Sequence, residues 1–484
     1  MKKKFFESEI LFYLLITSII TLLYFQALGR IFRWVLAQPI FMADNFVASG
    51  YFYPNHLVEN IGSVSIYTPG TALLALLFNQ LYLGEYIYEL MLFLSTLLFL
   101  YLIYAISLSS RTFSKNNYSD KTVFSLFLLF SLFFCDWFVE YALEFKPDSL
   151  ILSIGFLSLF LAKKNINGSR ASLFLLGAFF GIGLLFKQQH IAAIASLVFF
   201  GFFINRDWIF FSLGSLSSSV IVIYSLLKIE NLKYWTIDVL RDDGFWSLKD
   251  YVAYNINFYF AIISILAVCY FIGFNPLKAD KPKVFVAFIW SKIKLFNQNP
   301  FSWYILACSL VAFAGSLKVG GNSGNSEIAL LLFSAMFLAS IKFPVRLKPN
   351  YLLLLSILVV LPNGITGVAN YSEAIEKREL VQSQLQNNKN STILFSAGDY
   401  FLLRGLTSIG KMWDLTTYRI KKPNQPIPLD KALSEMIFKY APEIIIIKTA
   451  QKSALTAEKN YTIIMIEKDF ILAQRNNYGD KKGK

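Results

Sequence analysis

Two aspartates stand beside long apolar runs. Asp44 lies in "FMADNFVASGYFYP" and Asp148 in "FKPDSLILSIGFLSLFLAKK". A carboxylate in such a place can take a proton from an acceptor hydroxyl. It can equally cap a helix or sit on the positive end of its dipole. Glu140 and Glu144 are four apart in "DWFVEYALEFK" and share a face if that stretch is helical; a solvated pair reads the same way. Lys146 follows at once. Lys187, Gln188, Gln189 and His190 form a polar break between apolar runs, with almost no turn-forming residues. An ammonium there is a point-charge partner for phosphate, or a lysine snorkelling to the headgroups. His190 alone reads as a packed or interfacial residue. In "SLKVGGNSGNSEIALLLF", Lys318, Asn322 and Asn325 sit among glycines that permit unusual backbone turns. That stretch is either a flexible loop or a set of backbone amides and a cation for an anion.

The elements that must position these groups are membrane spans. Of the 484 residues 56% are hydrophobic and 17% aromatic, a composition unlike that of a soluble domain. The net charge of +14 reads as basic cytoplasmic loops rather than as a nucleic-acid surface. Cys135, Cys269 and Cys308 lie in or beside apolar runs without disulfide or metal-ligand spacing.

Length and flanking charge place about eleven spans, near 9–28, 86–108, 122–135, 149–162, 171–187, 190–204, 208–227, 251–274, 301–317, 327–341 and 350–367. The loops holding Lys115, Lys281 and Arg346 are expected to be cytoplasmic, with the N-terminus inside and the C-terminus outside. Residues 69–83 are apolar enough to cross. A crossing there would turn every later basic loop outward, so a helix at the outer surface is expected instead. The first outer loop then runs over 29–85 and carries juxtamembrane helices. After about residue 370 the chain turns polar, with β-like runs "STILFSAG", "EIIIIKTA" and "YTIIMIEKDFILAQ" and an amphipathic helix "LDKALSEMIFKYAP". The expected architecture is a polytopic α-helical domain over 1–370 and a small extracytoplasmic α/β domain over 371–484.

On this topology carboxylates and cations gather on one membrane face. The pattern suits transfer from a lipid-linked phosphate. A carboxylate would deprotonate the acceptor and cations would hold the departing phosphate.

The chain resembles the GT-C superfamily of integral-membrane glycosyltransferases. The likeness is to its bacterial branch, with protein O-mannosyltransferases and aminoarabinose transferases as relatives. The residues that carry it are Asp44 after the first span, Gly50-Tyr51-Phe52-Tyr53-Pro54, Tyr67-Thr68-Pro69-Gly70, Asp148 in "KPDSL", "LLFKQQ" and "GGNSGNSE". Two departures stand out. Tyr67-Thr68-Pro69-Gly70 replaces the Glu-Lys-Pro-Pro patch of aminoarabinose transferases, so Lys146 or Lys187 would have to touch the donor phosphate. Asn45 follows Asp44 where protein O-mannosyltransferases have an Asp-Glu pair.

The resemblance implies a GT-C fold about eleven helices strong in the plasma membrane. It implies an inverting enzyme of the cell envelope that moves a sugar from a polyprenyl-phosphate donor to a lipid, glycan or protein acceptor. Asp44 would be the base, and Asp148 would orient the acceptor or a divalent ion. Lys187, Gln188, Lys146 and Lys318 would hold the phosphate, and Glu144, Tyr67, Asn322 and Asn325 the substrates. Oxygen ligands from Asp44 and Asp148 would favour Mg²⁺ or Mn²⁺. A lipid-linked polysaccharide polymerase or ligase usually relies on a large arginine- and histidine-rich outer loop, scarce here. A lipid or sugar transporter would want charges at mid-span.

Overall fold

The computed structural model describes residues 9–32, 34–53, 68–81, 86–110, 119–134, 139, 142–234, 247, 298–316, 348–386, 391–396, 399–404, 412–415, 429–452, 455, 460–466 and 470–476. These divide into two compact units. The first comprises Met1–Ala27, Leu92–Leu226 and Gly244–Thr366; the second comprises Leu28–Met91, Leu227–Asp243 and Gly367–Lys484.

Apolar runs become helices where the sequence places them. They are α1 (Glu9–Leu28), α2 (Trp34–Ser49), α3 (Gly70–Gln80), α4 (Ile87–Ser110), α5 (Asp120–Phe134), α6 (Pro147–Lys164), α7 (Arg170–Gly181), α8 (His190–Phe199), α9 (Ile209–Leu227), α10 (Pro300–Ser316) and α11 (Pro349–Leu385). The spans expected at 251–274 and 327–341 lie outside the described residues. Among the described residues α1, α4, α9 and α11 are long and apolar enough to cross a membrane on their own. α3 has 11 residues. At about 1.5 Å per residue it is too short for a hydrocarbon core of about 30 Å, in keeping with a helix that does not cross.

In the first unit, helices approach through small residues. Gly177 and Gly181 of α7 face α9, and a Cβ at Gly177 would lie 1.9 Å from the Phe211 carbonyl oxygen. Gly214 answers from α9, where a Cβ would lie 2.0 Å from the Phe174 oxygen. Small residues permit this backbone contact, which drives association where lipid offers no hydrophobic force.

α11 runs further than expected. The apolar stretch ends near residue 367, yet the helix continues to Leu385. The extension "YSEAIEKRELVQSQL" is rich in strong helix formers and contains no glycine or proline, so nothing stops propagation.

The second unit holds a mixed sheet. Its strands are β1 (Ile393–Phe395), β2 (Met412–Asp414), β3 (Ile444–Lys448), β4 (Tyr461–Ile466) and β5 (Phe470–Arg475), in the order β2-β1-β3-β5-β4. β1 pairs parallel with β2 and β3, while β5 pairs antiparallel with β3 and β4. The burial follows position. Inner β3 is an unbroken isoleucine run buried through Ile447. Edge β4 alternates half-buried and exposed residues. The run "YTIIMIEKDFILAQ" thus forms two strands, β4 and β5, rather than one. Helix α13 (Leu429–Tyr440), numbered after the short α12 (Tyr400–Leu403), packs Leu433, Met436 and Ile437 with Ile445, Ile447 and Ile471.

Candidate active site

Asp44 stands in the penultimate turn of α2, not in a loop. α2 ends where Gly50 takes φ +81°, its N–H bonded to the Phe46 carbonyl at 2.8 Å. Left-handed backbone there is what glycine permits. Three residues before Asp44, on the same helical face, Phe41 packs edge-on against Tyr400 with centroids 4.9 Å apart. This brings the Tyr400 hydroxyl to Asp44.

Three side chains donate to the carboxylate. Tyr400 donates to Oδ2 at 2.8 Å, and Arg404 Nε donates to the same oxygen at 2.9 Å. Asn79 Nδ2 donates to Oδ1 at 2.9 Å, and Arg404 Nη2 reaches Oδ1 at 3.3 Å. Arg404 Nη2 also donates to Asn79 Oδ1 at 3.0 Å, which fixes which way the amide points. A carboxylate offers about four lone-pair sites, and these four contacts use them.

The surroundings carry charges of both signs. Arg378 Nη2 donates to the Arg404 carbonyl at 3.0 Å, and its guanidinium lies 5.0 Å from the Phe401 ring. Tyr88, 2% exposed, lies within charge range of Arg404, Asp44, Arg378 and Glu89. Its hydroxyl has no hydrogen-bond partner among the described residues. Burial, with the Asp44 charge behind it, holds the Tyr400 hydroxyl well above its ordinary range, so it remains a donor. Burial opposes the Arg404 charge, and the hydrogen bond and charge of Asp44 outweigh it, leaving Arg404 more firmly protonated.

α12 has a second side. Asp399 and Leu402, with Arg30, Phe32, Lys377, Lys448 and Phe470, line a cavity of about 440 Å³, in the range of small-ligand pockets. Lys377 is paired there with Glu373 at 2.6 Å.

The first unit holds the other described candidates. Asp148 is the second residue of α6 behind Pro147, and its side chain is not among the described atoms. Lys146 is the residue before α6 and lies 3.7 Å from Glu144, both side chains mostly buried. Between them Phe145 takes φ +58°, held by its N–H donating to Ser95 Oγ at 3.1 Å. An aromatic in this left-handed region costs about 1–3 kcal/mol. Lys187 is 4% exposed, so it does not snorkel into the headgroups. Its carbonyl accepts from the His190 N–H at 3.1 Å as α8 begins. His190 packs on Phe180 at 4.6 Å and bonds through Nε2 to the Phe180 carbonyl at 2.9 Å. A carbonyl only accepts, so Nε2 carries the proton. Gln188 is half-buried beside them. Tyr67, Glu140, Lys318, Asn322 and Asn325 lie outside the described residues.

Asn79, Tyr88, Arg378, Tyr400 and Arg404 were not legible as site residues. Only Asn79 left a signal, a polar residue closing the apolar run "TALLALLFNQ". The donor set around Asp44 does not suit a divalent cation: a guanidinium already occupies both oxygens. Among the described residues no three His, Cys, Asp or Glu side chains come together.

No family model and no curated protein matches this chain. Solved structures do. The crystal structure of ArnT from Cupriavidus metallidurans bound to undecaprenyl phosphate matches with a TM-score of 0.55 at 12% identity, over 95% of this chain and 97% of that one. The structure of the same protein in the apo state matches at 13% identity with a TM-score of 0.46, over 90% and 92%. The first likeness runs through nearly the whole of both chains. It shows a fold like that of that membrane protein, and four of the described helices are long and apolar enough to cross a membrane.

Proposed function

We propose that this chain is a membrane glycosyltransferase that takes a sugar from a polyprenyl-phosphate donor. It passes the sugar, with inversion, to a lipid, glycan or protein acceptor at the outer face. One observation carries the reading. Asp44, on the helix that follows the first span, is held by Asn79, Tyr400 and Arg404, in a fold shared end to end with a protein solved with undecaprenyl phosphate.

Asp44 is the proposed base. Three donors hold its carboxylate in one orientation before an acceptor arrives. At least one of those donors must leave before a hydroxyl can bond to it. Asp148, at the positive end of α6, would orient the acceptor. Lys187 and Lys146 are cations in the first unit that suit a phosphate; Glu144, 3.7 Å away, holds Lys146 in place.

The test is direct. Purified protein in nanodiscs receives radiolabelled polyprenyl-phosphate sugars, and release of polyprenyl phosphate is scored with and without envelope acceptors. Release that is lost in Asp44→Asn supports the reading. No release from any donor, by protein that is folded and donor-saturated, overturns it.

A further inference from the structure

We propose that Arg404 is a ligand for the donor phosphate, and that its bond to Asp44 is a latch which the phosphate opens. This rests on the glycosyltransferase reading above and adds what arms the base.

The argument starts from the filled lone pairs. Asp44 cannot accept an acceptor proton while Arg404 occupies a site on each of its oxygens. A guanidinium fork that fits a carboxylate fits a phosphate equally well, so the donor's phosphodiester oxygens compete with Asp44 for it, and the monoester that leaves, with its extra charge, holds it more strongly. Two further observations point to an anion at this place. Arg378 brings a second guanidinium to the Arg404 carbonyl. The buried Tyr88 hydroxyl, within charge range of both arginines and of Asp44 and Glu89, has no bonding partner among the described residues and can donate to an oxyanion held by Arg404. In the resting protein Asp44 stands where a phosphate oxygen would stand.

Arrival of the phosphate then does two things. It takes Arg404, and it frees one lone-pair site on each Asp44 oxygen. Tyr400 and Asn79 stay in place and keep the carboxylate aimed; they are positioning residues. In the transfer, the acceptor oxygen bonds to the anomeric carbon and its proton passes to Asp44. The bond from that carbon to the phosphate oxygen breaks, and its electron pair stays on the phosphate. The leaving polyprenyl phosphate gains one negative charge, which Arg404 and Arg378 stabilise. Without donor the base remains latched, and no hydroxyl is activated in vain.

The latch makes a prediction of opposite sign to a structural ion pair. Binding of polyprenyl phosphate, and of the matching polyprenol as a neutral control, is measured on full-length protein in nanodiscs. Asp44→Asn removes the competitor for Arg404, so polyprenyl phosphate should bind about fivefold tighter or more. Arg404→Gln should weaken it at least about tenfold, and Asp44→Asn should give no gain in that background. Arg404→Lys keeps the charge, loses the fork, and should fall between the two; it also serves if Arg404→Gln does not fold. Polyprenol binding should not move. Unchanged or weaker phosphate binding in folded Asp44→Asn, or wild-type affinity in Arg404→Gln, overturns the latch and leaves the glycosyltransferase reading standing. A wild-type protein that binds the alcohol as well as the phosphate overturns both.

Discussion

Arg404 and Asp44 are 360 positions apart, and Arg404 Nε lies 2.9 Å from Asp44 Oδ2. The side chains are 14% and 26% exposed, so this is neither a solvated surface pair nor a fully buried one. Around it the fold of the second unit joins a helix that follows the first span to a turn that follows β1. Removing Arg404 leaves a half-buried carboxylate with two of its four contacts missing. Arg404→Ala should cost about 1–3 kcal/mol, read as a lower unfolding midpoint and faster proteolysis around residues 399–404. An unchanged midpoint would mean that the pair contributes no stability.

Tyr400 supplies a pH signature. Burial and the Asp44 charge raise its hydroxyl above the ordinary value of 10.0. A group raised in the folded state keeps its contribution below the unfolded pKa and loses it as pH rises toward the folded one. The wild-type protein should therefore lose stability above about pH 10, and Tyr400→Phe should flatten part of that alkaline limb. Parallel limbs in the two proteins would show that Tyr400 does not titrate against Asp44.

The contact of α7 with α9 is testable without any assay of activity. A Cβ at Gly177 would meet the Phe211 carbonyl at 1.9 Å, and backbone cannot step aside as a side chain can. Gly177→Ala should destabilise by about 1–3 kcal/mol. Gly168→Ala, whose Cβ would come no nearer than 3.1 Å to the Asn165 oxygen, should cost less. Equal midpoints for the two variants would contradict the close approach.

Much of the fold was legible because apolar length and β-like runs are local signals. α1, α4, α5, α6 and α9 fall close to the expected spans, and β1, β3 and α13 fall where the sequence placed them. The polar half of α11 was not legible, because it follows a change in composition and helix formers carry no marker of where a helix stops. β2 was missed because "MWD" carries no β-branched residues, unlike the runs that hold β1 and β3. In the site, Asp44 was legible from its place after the first span. Arg404 and Tyr400 were not, since "DYFLLRG" reads as an ordinary amphipathic turn until tertiary packing carries it to α2. Lys187 was legible as a cation at a helix break, yet its burial was not. A snorkelling lysine and a buried one look alike in sequence.

That burial sharpens a test of Lys187. Replacing it by methionine keeps most of the stem and removes the charge. Lys187→Met should preserve folding and weaken donor binding if the ammonium meets the phosphate. Donor affinity equal to wild type, with the protein folded, would assign Lys187 to packing at the start of α8.

The sharpest outcome concerns Asp44 itself. General base catalysis typically contributes about 10²–10⁴-fold, and asparagine cannot take the proton. Asp44→Asn should therefore lower turnover by at least about 10²-fold. Asparagine keeps one carbonyl oxygen and turns an amide donor toward groups that also donate. With Tyr400, Asn79 and Arg404 fixed around it, some stability must be lost with the charge. Turnover alone would not separate a base from an anchor. The comparison with Tyr400→Phe does, because that change removes a donor to Asp44 and leaves the carboxylate. An anchor would make the two variants lose turnover in proportion to their loss of stability. A base makes Asp44→Asn far worse than Tyr400→Phe at equal stability. Turnover measured with saturating donor, after matching the variants by unfolding midpoint, decides it. Near-normal turnover in Asp44→Asn would take Asp44 out of the chemistry and leave Asp148 as the acid to test.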